Sequence, residues 1–209
     1  MNQRFRTRLL DILISATVLS ICSPIIVIAA ALTALTIGFP IIFKQKRVGR
    51  NNVIFTIYKF RTMINSARVK SSITIGKDPR ISRFGLFIRK YKIDELPQFI
   101  NVLKGEMSIV GPRPELPEYS KYYTQEYKEF FSVDPGITDY ASIKYRNEAD
   151  LLALQKDPEK YYINEIIPKK IKASLVYIKN QTLANYLKII SRTIMVIFVS
   201  GSKRGRKKT

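Results

Sequence analysis

Between Ile12 and Phe43 the chain carries no charged side chain, and a run of that length exceeds the ~20 residues that cross the roughly 30 Å hydrocarbon core of a bilayer. Membrane association is the first inference. Arg4, Arg6 and Arg8 precede the run, while Lys44, Lys46, Arg47 and Arg50 follow it. Positive charge flanking a membrane segment stays on the cytoplasmic side, so both ends are expected on one side. A helix that enters, breaks and returns meets that demand; a span that crosses once, merely kinked by proline, does not. Ser23-Pro24, near the middle, is the expected break. Proline removes a helical donor and clashes with the preceding turn, and the Ser23 hydroxyl can satisfy a carbonyl so freed. No small-residue cleavage site followed by a polar start occurs before Lys44, so a cleaved signal peptide is not expected.

The 209 residues suffice for one domain with a real core. Lys and Arg number 36 against 16 Asp and Glu, a formal charge of +20, which draws a protein toward nucleic acid, anionic lipid or phosphorylated small molecules. The chain has no histidine. His general bases, Ser-His triads and His-ligated zinc are thereby excluded, leaving carboxylates, Lys, Arg, Tyr and Ser for any chemistry. Its single cysteine, Cys22, allows no intramolecular disulfide.

After the apolar run, residues 43–63 interleave β-branched and aromatic side chains around Gly49-Arg50-Asn51-Asn52, the pattern of a β-hairpin. Residues 64–74 read as a loop or short helix. Leu96, Phe99, Ile100 and Leu103 fall at i, i+3, i+4 and i+7, which predicts one apolar helical face closed by Gly105. Asp94 and Glu95 then stand at the start of that helix. Taken alone, an aspartate there is an N-cap and an acidic first turn complements the dipole. Gly111-Pro112-Arg113-Pro114 makes a rigid turn, and residues 140–146 alternate as a short strand would. A helical stretch from Asp157-Pro158 to Ile167 and two further helices after Pro168 complete the chain. The last reaches Val199 and is apolar enough toward its end to lie on a bilayer surface. The tail at 203–208 is basic, expected to be disordered, and suited to anionic lipid. The whole reads as mostly α with a small β-hairpin, an α+β fold. It is divided into a re-entrant helix-break-helix at 1–43, a soluble body with surface amphipathic helices at 44–199, and a basic tail at 200–209.

The segments FKQKRVGR (43–50), YKFRTM (58–63), DPRISRFGLFIRK (78–90), DELPQFINVLKG (94–105) and MSIVGPRPE (107–115) occur in an order that resembles the bacterial sugar transferases. These are the monotopic phosphoglycosyl transferases that initiate surface glycan assembly. The resemblance implies a two-step transfer at the cytoplasmic face of the bacterial inner membrane. In the family the aspartate of the Asp-Glu dyad attacks the sugar-linked phosphate of a UDP-sugar and releases UMP. Undecaprenyl phosphate, a polyprenyl phosphate, then takes the phosphosugar. By that resemblance Asp94 is the nucleophile, and Glu95 holds Mg²⁺. Arg89 and Arg113 correspond to arginines near the dyad and the phosphates, Lys59, Arg61 and Arg80 are further phosphate-binding candidates, and Arg146 falls on an arginine that contacts the nucleotide sugar. Carboxylates form acyl-phosphate intermediates that split one hard displacement into two, and guanidinium groups offset the repulsion between such a nucleophile and its anionic target.

The C-terminal third departs from the family pattern. Many members carry Gly-Ile-Thr-Gly-Trp-Ala-Gln-Val-Asn-Gly-Arg, whereas Gly136-Ile137-Thr138 continues here as Asp139-Tyr140-Ala141-Ser142, and the chain has no tryptophan. That puts the identity of the sugar outside what the resemblance implies, as it does the glycan pathway and whether the chain forms a homodimer. The competing reading is a noncatalytic membrane-anchored basic protein that holds anionic lipid or nucleic acid. Against it, no nucleic-acid-binding motif occurs and the basic residues are spread through Pro- and Gly-punctuated segments.

Overall fold

The uncharged run folds as two helices. In the computed structural model, which describes residues 3–64, 73–123 and 125–203, helix α1 (Gln3–Ile21) meets helix α2 (Ser23–Thr36) at a 63° bend. Its cause is local. Cys22 leaves helical geometry at ψ 3° and Pro24 occupies the first turn of α2, where its missing N–H costs nothing. The Ser23 hydroxyl donates to the Ser20 carbonyl at 2.8 Å, as the sequence leads one to expect. Among the described residues no single helix is long and apolar enough to cross a membrane, while this bent pair passes by length and composition. Leu13, Ile21, Val27, Ile28 and Leu35 face outward, exposed, and a monomer seldom leaves so much apolar surface without a use.

Strands β1 (Ile42–Val48) and β2 (Ile54–Phe60) form the expected antiparallel hairpin, with Ile42 opposite Phe60 and Val48 opposite Ile54. Asn51 and Asn52 take positive φ, 52° and 61°, in the turn; asparagine is among the few side chains that visit this region readily. Most of the stretch at 64–74 lies outside the described residues. Helix α3 (Arg83–Lys90) begins where the Ser82 hydroxyl accepts from the Gly85 amide at 2.8 Å.

Helix α4 (Gln98–Lys104) ends as expected at Gly105, in left-handed geometry at φ 83°. Its buried face, however, differs from the one the periodicity predicts. Gln98, Asn101 and Val102 are buried, whereas Ile100 and Leu103 are exposed. Asn101 explains the inversion. Its side-chain amide donates to the Thr56 carbonyl at 2.7 Å and its oxygen accepts from the Tyr58 amide at 3.2 Å, stitching α4 to the outer edge of β2. A satisfied buried amide selects the face that sits on the hairpin; Ile100 and Leu103 are turned away from it, while Phe99 still packs against the core.

Strand β3 (Ser108–Val110) pairs in parallel with β4 (Gly136–Thr138), a pairing the sequence reading did not foresee. Two glycines permit it: a Cβ on Gly136 would sit 2.1 Å from the Gly111 nitrogen. Beyond β3 come α5 (Pro117–Ser120) and a 3₁₀ segment (Gln125–Ser132). Residues 140–146, expected as a strand, instead form helix α6 (Tyr140–Lys144). Asp139 decides this: its carboxylate caps the helix by accepting from the Ser142 amide at 2.7 Å, and Ser174 Oγ donates to its other oxygen. Helices α7 (Glu148–Ala153) and α8 (Pro158–Tyr161) follow, then a π turn (Tyr162–Ile166), α9 (Ile167–Ile178) and α10 (Leu183–Lys203). Pro168 does not divide this region as expected, because the π turn places it in the first turn of α9. Residues 204–209, most of the basic tail, lie outside the described residues.

Helices α1 and α2 are docked on the rest of the fold. Asp11, buried in α1, accepts from the Ile109 amide at 2.9 Å and from the Tyr186 hydroxyl at 2.7 Å, tying α1 to β3 and α10. Arg8 donates to the Val102 and Leu103 carbonyls at the C-terminal end of α4, where a cation complements the helix dipole. Ala29 of α2 packs with Phe60 and Ile88 in one small core. A second core joins Ile57, Val102, Ile109, Tyr186 and Ile189 beneath the hairpin. The site is thus built on elements anchored to both the hairpin and the α1–α2 pair.

Candidate active site

All eight charged residues singled out for chemistry, Asp94, Glu95, Arg89, Arg113, Lys59, Arg61, Arg80 and Arg146, line one cavity of about 920 Å³. That is toward the upper end of the roughly 300–1,000 Å³ typical of ligand sites. Ser23 and Pro24 lie apart from it, at the bend between α1 and α2.

The dyad sits on a tight turn ahead of α4. Lys92 takes a left-handed conformation at φ 59°, and Ile93–Glu95 then form a 3₁₀ turn that runs through Leu96 and Pro97 into α4. Asp94 makes no capping hydrogen bond. Its Oδ1 is buried and has no hydrogen-bond partner among the described residues, so the reading of Asp94 as an N-cap is set aside. Burial pushes the Asp94 carboxyl above its usual range and the neighbouring Glu95 charge adds to this, against the pull of Lys59, Lys92 and Arg89.

Glu95 is the opposite case. Its Oε1 accepts from Arg113 Nη2 at 2.7 Å and Lys59 Nζ at 3.0 Å, with Lys92 Nζ at 3.8 Å. Burial alone would raise its carboxyl, but Arg113, Lys59 and Lys92 together hold it well below the ordinary carboxylate range. Two adjacent acids are thus pushed in opposite directions, a hallmark of sites where acid and base roles are divided. Burial also pulls the Lys59 ammonium down to about 8, with Glu95 resisting. Arg113 is held protonated more firmly than usual, chiefly by Glu95.

Backbone contacts fix the arginines. The Pro112 carbonyl accepts from the Gly136 amide at 2.9 Å and the Pro114 carbonyl from Arg47 Nη1 at 3.1 Å, clamping Arg113 from both sides. Arg89 Nε donates to Thr62 Oγ1 at 2.8 Å and lies within the electrostatic reach of Asp94. Arg80 is engaged with Asp78, Nη2 to Oδ2 at 2.6 Å, and Arg61 with the carbonyls of Phe39 and Met63 at 2.7 and 3.1 Å. Arg146 Nη1 reaches the Val196 carbonyl at 3.4 Å, which sets the apolar end of α10 beside the cavity.

Sequence reasoning overlooked the layer behind these groups. Glu115, 4% exposed, accepts from Tyr123 and Tyr162 hydroxyls at 3.1 and 2.9 Å and from the Leu116 amide at 2.9 Å. It lies 3.9 Å from Arg47. Its place at the end of GPRPE was the available signal; Tyr162, Glu148 and Lys170 belong to no motif and had none.

Among the described residues no cluster of three or more Asp, Glu, His or Cys side chains could hold a metal unaided. One carboxylate suits a hard divalent ion that takes its other ligands from phosphate and water. Glu95 Oε2 has no protein partner among the described residues. The donor set therefore fits such an ion when it arrives with a phosphorylated ligand.

A family profile described as "Bacterial sugar transferase" matches residues 2–200. The chain is 37% identical over 193 residues to the "Uncharacterized sugar transferase EpsL" of Bacillus subtilis, covering 92% of this chain and 87% of that one. It is 36% identical over 200 residues to the UDP-glucose:undecaprenyl-phosphate glucose-1-phosphate transferase of Klebsiella pneumoniae, with 93% of this chain matching 40% of that protein. An Aeromonas hydrophila UDP-N-acetylgalactosamine-undecaprenyl-phosphate N-acetylgalactosaminephosphotransferase is 39% identical over 165 residues, 76% of this chain and 39% of the relative. The chain thus spans about two fifths of the length of the latter two relatives. With the family profile matching nearly its whole length, the chain belongs to the bacterial sugar transferases.

Proposed function

We propose that this chain is a phosphoglycosyl transferase that moves a sugar 1-phosphate from a UDP-sugar to undecaprenyl phosphate. The observation that carries the reading is the asymmetry of the dyad: Glu95 is saturated with cations at one oxygen while Asp94 Oδ1 is buried and unpartnered. An idle buried carboxylate oxygen costs free energy, and a nucleophile awaiting phosphorus explains it.

In the first step Asp94 Oδ1 forms a bond to the sugar-linked phosphorus, the bond from that phosphorus to the bridging oxygen breaks, and UMP leaves with the electron pair. In the second, an oxygen of undecaprenyl phosphate attacks the same phosphorus, the Asp94 oxygen departs, and the lipid diphosphate sugar is formed. Arg113 and Arg89 offset the repulsion between carboxylate and phosphate, Arg113 being fixed by its clamped backbone. Glu95 keeps Arg113 and Lys59 in place beside Asp94. Glu95 would hold Mg²⁺, which when bound would neutralise charge on the leaving group.

The acceptor is a lipid, and the bent pair α1 and α2 suits a re-entrant anchor that leaves both ends on the cytoplasmic face of the inner membrane. Purified protein incubated with UDP-sugars, Mg²⁺ and undecaprenyl phosphate is expected to release UMP and yield a sugar-labelled lipid. A protein that merely binds lipid or nucleic acid produces neither, and that outcome refutes the reading.

A further inference from the structure

Four residues supply the acidic groups of the cavity wall: Asp94, Glu95, Glu115 and Glu148. In a cavity built to hold a diphosphate each carboxylate needs a reason, because like charges repel. Asp94 and Glu95 have theirs. Glu115 is spent on its backbone amide, two tyrosines and Arg47. Glu148 remains. Its Oε2 takes Lys170 Nζ at 3.0 Å, the two side chains being 27% and 15% exposed, and no partner for its Oε1 is found among the described residues.

Lys170 is held in place from behind. Its Nζ lies 3.4 Å from Tyr162 Oη and 5.2 Å from that ring's centroid, and Tyr162 is itself fixed by its bond to Glu115. The pair is electrically neutral, so it neither attracts nor repels phosphate. What it offers is a carboxylate oxygen to accept from a hydroxyl and an ammonium to donate to one, side by side on a preorganised wall. It also lies close enough to Arg113 for the Glu148 charge to act on that guanidinium, one step outward from the phosphate-binding end.

We propose that Glu148 and Lys170 read a vicinal diol of the donor, the neutral ring chemistry flanking its diphosphate. The proposal rests on the nucleotide-sugar reading above. Both the hexose and the ribose carry such a diol, and the two sources are separable because UMP retains the ribose and lacks the hexose.

The test uses the full chain in detergent or lipid nanodiscs, with UMP release measured across a panel of UDP-sugars. Glu148→Gln and Lys170→Met are expected to raise KM for the preferred donor about tenfold, the loss of one charge-assisted hydrogen bond, with a smaller effect on kcat. If the diol is the hexose's, the ranking between donors that differ in one hydroxyl flattens and UMP inhibition is unaltered; if it is the ribose's, the ranking holds and UMP inhibition weakens by the same factor. The exchange variant Glu148→Lys/Lys170→Glu keeps an ion pair between α7 and α9, and it should melt near the wild type yet keep the raised KM. Unchanged KM and ranking in the single variants overturns the proposal, and so does a KM restored by the exchange, which would make the pair only a tether. A wild-type protein that releases UMP from no UDP-sugar would instead overturn the parent reading.

Discussion

Lys59 and Asp94 illustrate how burial sets the working range of single side chains. Asp94 must be ionised to attack, and burial raises its carboxyl; kcat/KM should therefore fall on the acid side at a pH above that of an ordinary aspartate. Lys59 must be charged to balance Glu95, and burial lowers it to about 8. As pH rises through that value the ammonium loses its proton and the alkaline limb should descend. Lys59→Arg keeps its charge well beyond this range, so the variant's profile should lose the limb near pH 8 and extend upward, whatever its absolute rate. A limb that stays near pH 8 in the arginine variant would assign it to another group. At this scale the sequence was informative wherever a residue sat in a motif: Asp94, Glu95, Arg89 and Arg113 converge as expected. Glu148, Lys170 and Tyr162 were invisible because their roles come from the packing of α7 and α9, which no short pattern records.

Elements were legible where backbone chemistry is local. The hairpin at β1 and β2, the Gly105 stop and the Ser23-Pro24 break each rest on a residue whose conformational preference is intrinsic. The failures share a different cause. Residues 140–146 alternate like a strand but are capped by Asp139, and Ile100 and Leu103 of the α4 stripe point outward because Asn101 claims the hairpin. A side-chain hydrogen bond overrode periodicity in both, local at Asp139 and tertiary at Asn101. The same kind of contact ties α1 to β3 and α10 through Asp11, and it yields a prediction. Asp11→Ala leaves the Ile109 amide and the Tyr186 hydroxyl without their acceptor, at about 1–3 kcal/mol for each such buried group. Thermal unfolding in detergent should drop by about 2–4 °C per kcal/mol lost. Asp11→Asn, which keeps a carbonyl oxygen, should lose much less; equal losses would show that the carboxylate's charge and not its acceptor geometry holds the joint.

For the whole molecule, the governing arrangement is a charged cavity held against a bent apolar pair. Leu86 and Phe87 on α3, Ile100 and Leu103 on α4, and Met195 and Phe198 on α10 are exposed as well, apolar surface that the lipid acceptor proposed above would use. The re-entrant topology is tested by single cysteines, Gln3→Cys and Lys44→Cys, each in a Cys22→Ser background. Impermeant thiol reagents should reach both from the cytoplasmic side, and adding Pro24→Ala should move one of them to the other face. Labelling from opposite sides without the proline change would establish a simple span. The account depends above all on a phosphosugar carried by Asp94, so intact-mass measurement of the protein after incubation with UDP-sugar and Mg²⁺, without acceptor, is the most direct test. It should show the mass of one phosphosugar, localised to the peptide containing Asp94 and absent from Asp94→Asn. Near-normal UMP release by Asp94→Asn, or an adduct on any other side chain, would contradict it.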